Sequence, residues 1–168
     1  MSALLAIDPG TTQSGWVIFE DGRVSSSDVS DNEAVLKIVR CWSRNDDLAI
    51  EMIAGMGMAV GQTTFDTCVW IGRFQQAYAR PEAVRFVRRH AVKLHLCGNS
   101  RAKDSNIRQA LLDMFPATGG GKVPQIGVKS NPGPLYGVTS HAWSALAVAV
   151  TALDSMTDEV RRMKREAA

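Results

Sequence analysis

Two stretches of the chain repeat one pattern: Leu5-Ala6-Ile7-Asp8 and Leu48-Ala49-Ile50-Glu51, each an apolar triplet closed by a carboxylate. Short unbroken apolar runs read as strands buried on both faces, a feature of parallel pairs inside α/β sheets. If both strands are central and run the same way, Asp8 and Glu51 arrive together at the sheet's C-terminal edge, where open α/β sheets bind their ligands. Two carboxylates placed there repel each other, and a divalent cation relieves the repulsion; hard oxygen donors suit Mg²⁺ or Mn²⁺. Either acid alone also reads as a strand-end cap.

The rest of the chain supplies the elements around these strands. Asp8-Pro9-Gly10 is a turn, residues 15–20 and 23–29 read as further strands, and Asp21-Gly22 between them signals a hairpin. Residues 32–43 have helical spacing, with Asp31 as N-cap. Residues 63–79 form a long helix with Phe65, Val69, Gly72 and Phe74 as core positions. Residues 84–87 and 91–96 are two strand candidates. Residues 103–115 form a helix carrying Ile107, Ala110, Leu111 and Met114 on one face. Residues 116–140, rich in glycine and proline, form a long loop. Residues 141–153 form an alanine-rich helix, and residues 159–166 a charged tail or surface helix. Antiparallel strands followed by strand–helix alternation predict an α/β fold, a mixed sheet with helices on both faces. Residues 1–153 then make the domain and 154–168 its charged extension.

With 168 residues the chain suits one domain with a proper core. Its longest near-apolar run, residues 142–153, is too short for a bilayer, and the N-terminus lacks a basic leader. The expectation is a cytoplasmic protein without a membrane partner. Cys41, Cys68 and Cys97 are odd in number and widely spaced, against a zinc ribbon or a disulfide framework, and read as small buried hydrophobes. The net charge of +2 hides a basic segment: Arg80, Arg85, Arg88, Arg89, Lys93, Arg101, Lys103 and Arg108 are opposed only by Glu82 and Asp104. Such a stretch fits either a polyanion partner or a solvated face.

Ile7-Asp8-Pro9-Gly10 followed by Ser14-Gly15-Trp16 resembles the first strand of RuvC-type Holliday-junction resolvases. Ile50-Glu51 resembles their second acidic strand, Ile71-Gly72-Arg73 their glycine-containing helix, and residues 98–107 the approach to their next helix. His141-Ala142-Trp143-Ser144-Ala145-Leu146-Ala147 resembles their last helix. The likeness runs over nearly the whole chain in the family's order. With the Pro132-Gly133-Pro134-Leu135-Tyr136-Gly137 stretch, it is nearest to bacteriophage-encoded members, which implies the cytoplasm of a bacterial host. The resemblance implies a ribonuclease H-like fold with a mixed five-stranded sheet. It also implies a homodimer that cuts branched DNA with two Mg²⁺ or Mn²⁺ ions per site and no small-molecule cofactor. In that scheme the metals stand about 4 Å apart, Asp8 bridges them, and Glu51 holds one.

The chain departs from the family where the last helix usually carries two acids, since His141 and Ser144 stand there. His141 suits a metal as neutral imidazole, or is a core histidine; Ser144 is a poor ligand and reads as structural or water-bridging. Asp104, at the start of a helix, is either a replacement carboxylate or a first-turn acid favoured by the helix dipole. Lys103 beside it either touches the scissile phosphate or is a surface lysine. The loop after Glu51 offers Met56 and Met58 where relatives present an aromatic wedge; apolar side chains of this kind unstack bases, or fold back on the core. Arg73, Arg101, Lys122 and Lys129 are candidate DNA contacts, with the glycine-rich loop tracking a phosphate backbone or merely flexible.

Two other readings start from the same residues. The turn at residues 8–15 also resembles the phosphate-binding turn of actin-like ATPases, which need a second such domain around a cleft. A degenerate DNA-binding protein would keep the fold and lose the metals. Within the nuclease reading, RNA, flaps and forks compete with four-way junctions as substrate.

Overall fold

Leu4, Leu5, Ala6 and Ile7 have essentially no solvent contact, and neither do Leu48, Ala49 and Ile50. They form β1 (Leu4–Asp8) and β4 (Asp47–Met52), which pair in parallel at the centre of a five-stranded sheet. The computed structural model describes residues 3–55, 57 and 59–166. On one side of β1, β2 (Gln13–Glu20) and β3 (Arg23–Asp31) follow antiparallel; on the other, β5 (Arg85–Arg88) runs parallel to β4. The order β3-β2-β1-β4-β5 is the mixed sheet expected from the sequence.

Alternation along the strands divides two cores. Leu5, Ile7, Leu48 and Ile50 face α1 (Asn32–Cys41) and α2 (Gln62–Ala77), packing on Val35, Leu36, Val39, Ile71, Phe74 and Tyr78. Leu4, Ala6 and Ala49 face α5 (Ala142–Glu166), with α3 (Arg89–Cys97) and α4 (Asp104–Met114) beside it. Ala142, Ala145, Ala147 and Ala149 are fully buried, so the backbone of α5 lies close against the sheet. Gly15 shows how close: a Cβ there would stand 2.4 Å from the His141 carbonyl oxygen.

Several sequence expectations are corrected. Residues 91–96 are not a strand but the body of α3: Val92 and Leu96, four apart, turn toward the α5 core, while Leu94 is exposed. The apolar–polar alternation of Val92–Lys93–Leu94–His95 suits a strand locally, but the sheet ends at Arg88, and a left-handed Gly98 closes the helix. In α2 the inward face is Thr67, Ile71 and Phe74, so Phe65, Val69 and Gly72 point outward. Met114 is exposed at the end of α4. Cys41 and Cys68 are exposed and Cys97 half-buried, so the cysteines are not core residues; the first two lie on outward helix faces. Asp31 sits at the N-cap of α1 without a capping bond, because its carboxylate accepts from Gln13 instead.

The glycine-rich stretch is a built structure. β6 (Gly127–Val128) and β7 (Asn131–Pro132) form a small hairpin. Gly119 donates to Pro124, Gly133 to Ile126 and Leu135 to Gln125, while Leu135 is buried in the α5 core. Helix α5 continues through the charged segment to Glu166; its first half is buried and its last turns are exposed. Among the described residues, no helix is long and apolar enough to cross a membrane.

Candidate active site

Ile7 pairs with Ile50 across β1 and β4, so Asp8 and Glu51 each stand one residue beyond the same rung. Counting by twos from Leu4 and Ala6, Asp8 projects toward α5; counting from Ala49, so does Glu51. Both side chains are only 16% exposed. The turn after Asp8 is held by a buried polar clamp. Ser14 donates to Asn32 Oδ1 at 2.6 Å, Asn32 donates to the Gly10 carbonyl, and the Gly10 N–H donates to Ser14. The clamp ties the turn after β1 to β2 and the start of α1.

Three elements converge on these acids. The turn before α5 brings His141, whose Nδ1 lies 3.3 Å from Asp8 Oδ2, and the first turn of α5 adds the Ser144 hydroxyl. Helix α3, starting where β5 stops, contributes Arg89, with Nη1 3.5 Å from Glu51 Oε2. Helix α4 contributes Asp104 at its first turn, accepting from Arg89 Nη2 at 2.5 Å. Asp104 is thus linked to Glu51 through a guanidinium. Next to the acids opens a cleft of about 400 Å³ lined by Arg89, Asp104, Arg108, His141, Trp143 and Ser144, with Arg108 stacked over the Trp143 ring.

Burial sets the electrostatics. It raises the Asp8 carboxyl above its ordinary value, and the opposing pull of His141, Arg89 and Ser144 does not cancel it. Glu51 is pushed up from 4.5 to about 7, by burial first and by the charge of Asp8 second, against Arg89. Burial works against the charge of Arg89, but Glu51, Asp104 and Asp8 outweigh it and hold the guanidinium protonated. Glu51 Oε2 and Arg89 Nη1 are both buried without a hydrogen-bond partner among the described residues.

A carboxylate pair with an orphaned buried oxygen and a nearby imidazole is a donor set suited to Mg²⁺ or Mn²⁺. Even so, among the described residues no three His, Cys, Asp or Glu side chains are gathered closely enough to hold a metal ion. Arg89 stands between Glu51 and Asp104 as their shared counter-charge.

The remaining candidates lie elsewhere. Lys103 is exposed just before α4, its backbone N–H donating to Asn106. Arg73 is held by Glu33 at 2.8 Å and stacks on Trp70, which ties α2 to α1. Arg101, Lys122 and Lys129 are exposed, and Met56 and Met58 lie outside the described residues. Within the basic segment, Arg80 and Arg85 are bound to Asp47 and Glu159, and Arg89 to the site acids. Arg88, Lys93, Arg101, Lys103 and Arg108 have no ion-pair partner among the described residues. Sequence reasoning counted Arg89 only as surface charge. Its position directly after a strand parallel to that of Glu51 was the signal available.

No family model and no curated protein matches the chain. Among solved structures it is similar to Thermus thermophilus RuvC in complex with a Holliday junction substrate. The TM-score is 0.60 and the identity 19%, over 90% of this chain and 92% of that one. A second Thermus thermophilus RuvC structure gives the same TM-score and identity over 89% and 92%. The likeness is one of fold, and the RuvC fold is the ribonuclease H-like mixed sheet found here.

Proposed function

We propose that this chain is a metal-dependent endonuclease that cuts branched DNA, with the Holliday junction as its first substrate. The observation that carries the reading is the pair Asp8 and Glu51, buried side by side at the C-terminal edge of parallel strands, with one Glu51 oxygen lacking a hydrogen bond among the described residues. The resemblance of motifs along the chain supports it, and so does the fold shared with a protein solved on a junction.

Asp8 and Glu51 are the residues that would hold Mg²⁺ or Mn²⁺, two ions per site, with His141 as nitrogen donor and Asp104 as additional carboxylate. When bound, the metal supplies an activated water and neutralises charge on the phosphate being cut. The protein's own groups set the stage. His141 and the Ser144 hydroxyl orient Asp8, the Ser14–Asn32 clamp holds the turn that follows it, and burial keeps bulk water from screening the charges. Arg108 on the cleft wall, with Lys103 and Arg101 on the approach to α4, offers positive charge for a DNA backbone, with Lys122 and Lys129 on the hairpin segment as further contacts. No activated Ser, Cys or Tyr nucleophile is required by this chemistry.

Symmetric cutting of a four-way junction needs two sites, so the active form is a homodimer. Phe65 and Val69, 56% and 61% exposed on α2, supply the apolar surface for the second copy. A degenerate DNA-binding protein is the second reading, favoured by Arg89 already neutralising the acids.

The test is cleavage of a labelled synthetic junction with Mg²⁺, with Mn²⁺ and with EDTA, beside duplex, fork and flap controls. Paired nicks that need metal and vanish in Asp8→Asn are expected. Tight binding without cutting under either metal would favour the degenerate reading.

A further inference from the structure

Arg89 touches both Glu51 and Asp104, and a metal centre does not explain it. Its Nη2 grips Asp104 at 2.5 Å, and its Nη1, buried, faces Glu51 Oε2 at 3.5 Å without making a hydrogen bond. Separating them costs their mutual attraction, and that cost is met only if a cation takes the oxygen and an anion takes the guanidinium. The side chain is 28% exposed and lines the cleft beside Arg108. Its place on the cleft wall leaves open space on the side of the guanidinium away from the sheet. A divalent ion and a guanidinium against the same carboxylate repel each other at short range, where low dielectric makes the repulsion strong.

We infer that Arg89 is a tethered counter-ion that holds Glu51 and Asp104 together in the metal-free protein and must leave them for a divalent cation to enter. The inference rests on the metal site proposed above. Once released, the guanidinium points into the cleft, where a DNA phosphate is its natural partner, since Arg grips phosphate through paired donors. Metal loading and DNA binding then favour each other, because each relieves the cost the other pays, and the coupling is reciprocal. Arg89 is on this account a positioning residue that sets when the site loads.

Mn²⁺ binding to the DNA-free protein, followed by calorimetry and by loss of the free-ion paramagnetic resonance signal, tests this without any turnover. Wild type, Arg89→Gln and Asp8→Asn are compared. Arg89→Gln is expected to bind Mn²⁺ on the order of tenfold tighter than wild type, because a competing charge is gone. Asp8→Asn is expected to lose that binding. Should Arg89→Gln fail to fold, Arg89→Met gives the same reading, since it keeps most of the side-chain volume and removes the charge; its affinity is expected above that of wild type. Equal or weaker binding in the folded variant overturns the inference and leaves the metal site standing. No binding at the Asp8 site in either protein overturns both.

Discussion

Arg89 Nη1 and Glu51 Oε2 face each other at 3.5 Å, two buried atoms that complete no hydrogen bond among the described residues. A buried ion pair with incomplete hydrogen bonding is a poor source of stability. It is the arrangement expected of the proposed site, which would open to a cation and an anion at once.

The raised Glu51 value gives stability a definite pH dependence. In the unfolded chain Glu51 ionises near 4.5, while in the folded protein it keeps its proton up to about 7. The folded state therefore binds the extra proton, so this group's contribution falls as pH rises through that window and is flat above it. The full swing is about 3–4 kcal/mol at most. Glu51→Gln removes it. Urea unfolding at pH 5 and pH 8 is expected to show the variant gaining on wild type at the higher pH. Parallel curves for the two proteins would contradict the burial argument.

The two acids should dominate the chemistry. Glu51→Gln, like Asp8→Asn, is expected to abolish junction cleavage while binding in gel shifts persists. Normal cutting by Glu51→Gln would mean that the reaction is run by other residues.

Asp104 and Ser144 separate a relocated acid from a helix cap. Asp104→Asn is expected to slow cleavage at least tenfold, about 1.4 kcal/mol in barrier, with little change in melting because the side chain is 83% exposed. Ser144→Ala is expected to cost less than tenfold. Near-normal cleavage by Asp104→Asn would return that residue to a first-turn acid.

Gly15 and Gly72 should respond in opposite directions. At Gly15 a methyl group meets the backbone of His141 and Ala142, which cannot rotate away. Gly15→Ala is expected to cost roughly 1–3 kcal/mol and to displace His141 from Asp8, lowering both melting temperature and cleavage. At Gly72 a methyl group meets nothing within 4 Å. Gly72→Ala is expected to stabilise the helix by up to about 1 kcal/mol.

The outward face of α2 should control assembly. The Phe65→Glu and Val69→Glu double variant is expected to run as a monomer in light scattering. It should keep the wild-type circular dichroism spectrum, because neither side chain reaches the core. A monomeric wild type would remove the basis for a two-site cutter.

The central strands and their acids were readable because unbroken apolar triplets have few alternatives: Leu5-Ala6-Ile7 and Leu48-Ala49-Ile50 can be satisfied only by burial on both faces. The alanine-rich segment from Ala142 was legible for a similar reason, since small side chains mark a helix pressed close to its neighbour. Residues 91–96 were misread because five residues of alternation fit either period. The boundary that decided between them, the end of the sheet at Arg88, is set by strand pairing and not by local sequence. Phe65 and Val69 were misplaced because an amphipathic helix with apolar residues on two faces does not declare which one meets the sheet. The spacing of Asp8 and Glu51 thus follows from short-range pattern and strand parity. The insertion of Arg89 between Glu51 and Asp104 needed three elements to meet, β4, α3 and α4. Contacts among residues 51, 89 and 104 depend on how the helices cross the sheet edge, which short-range pattern does not encode.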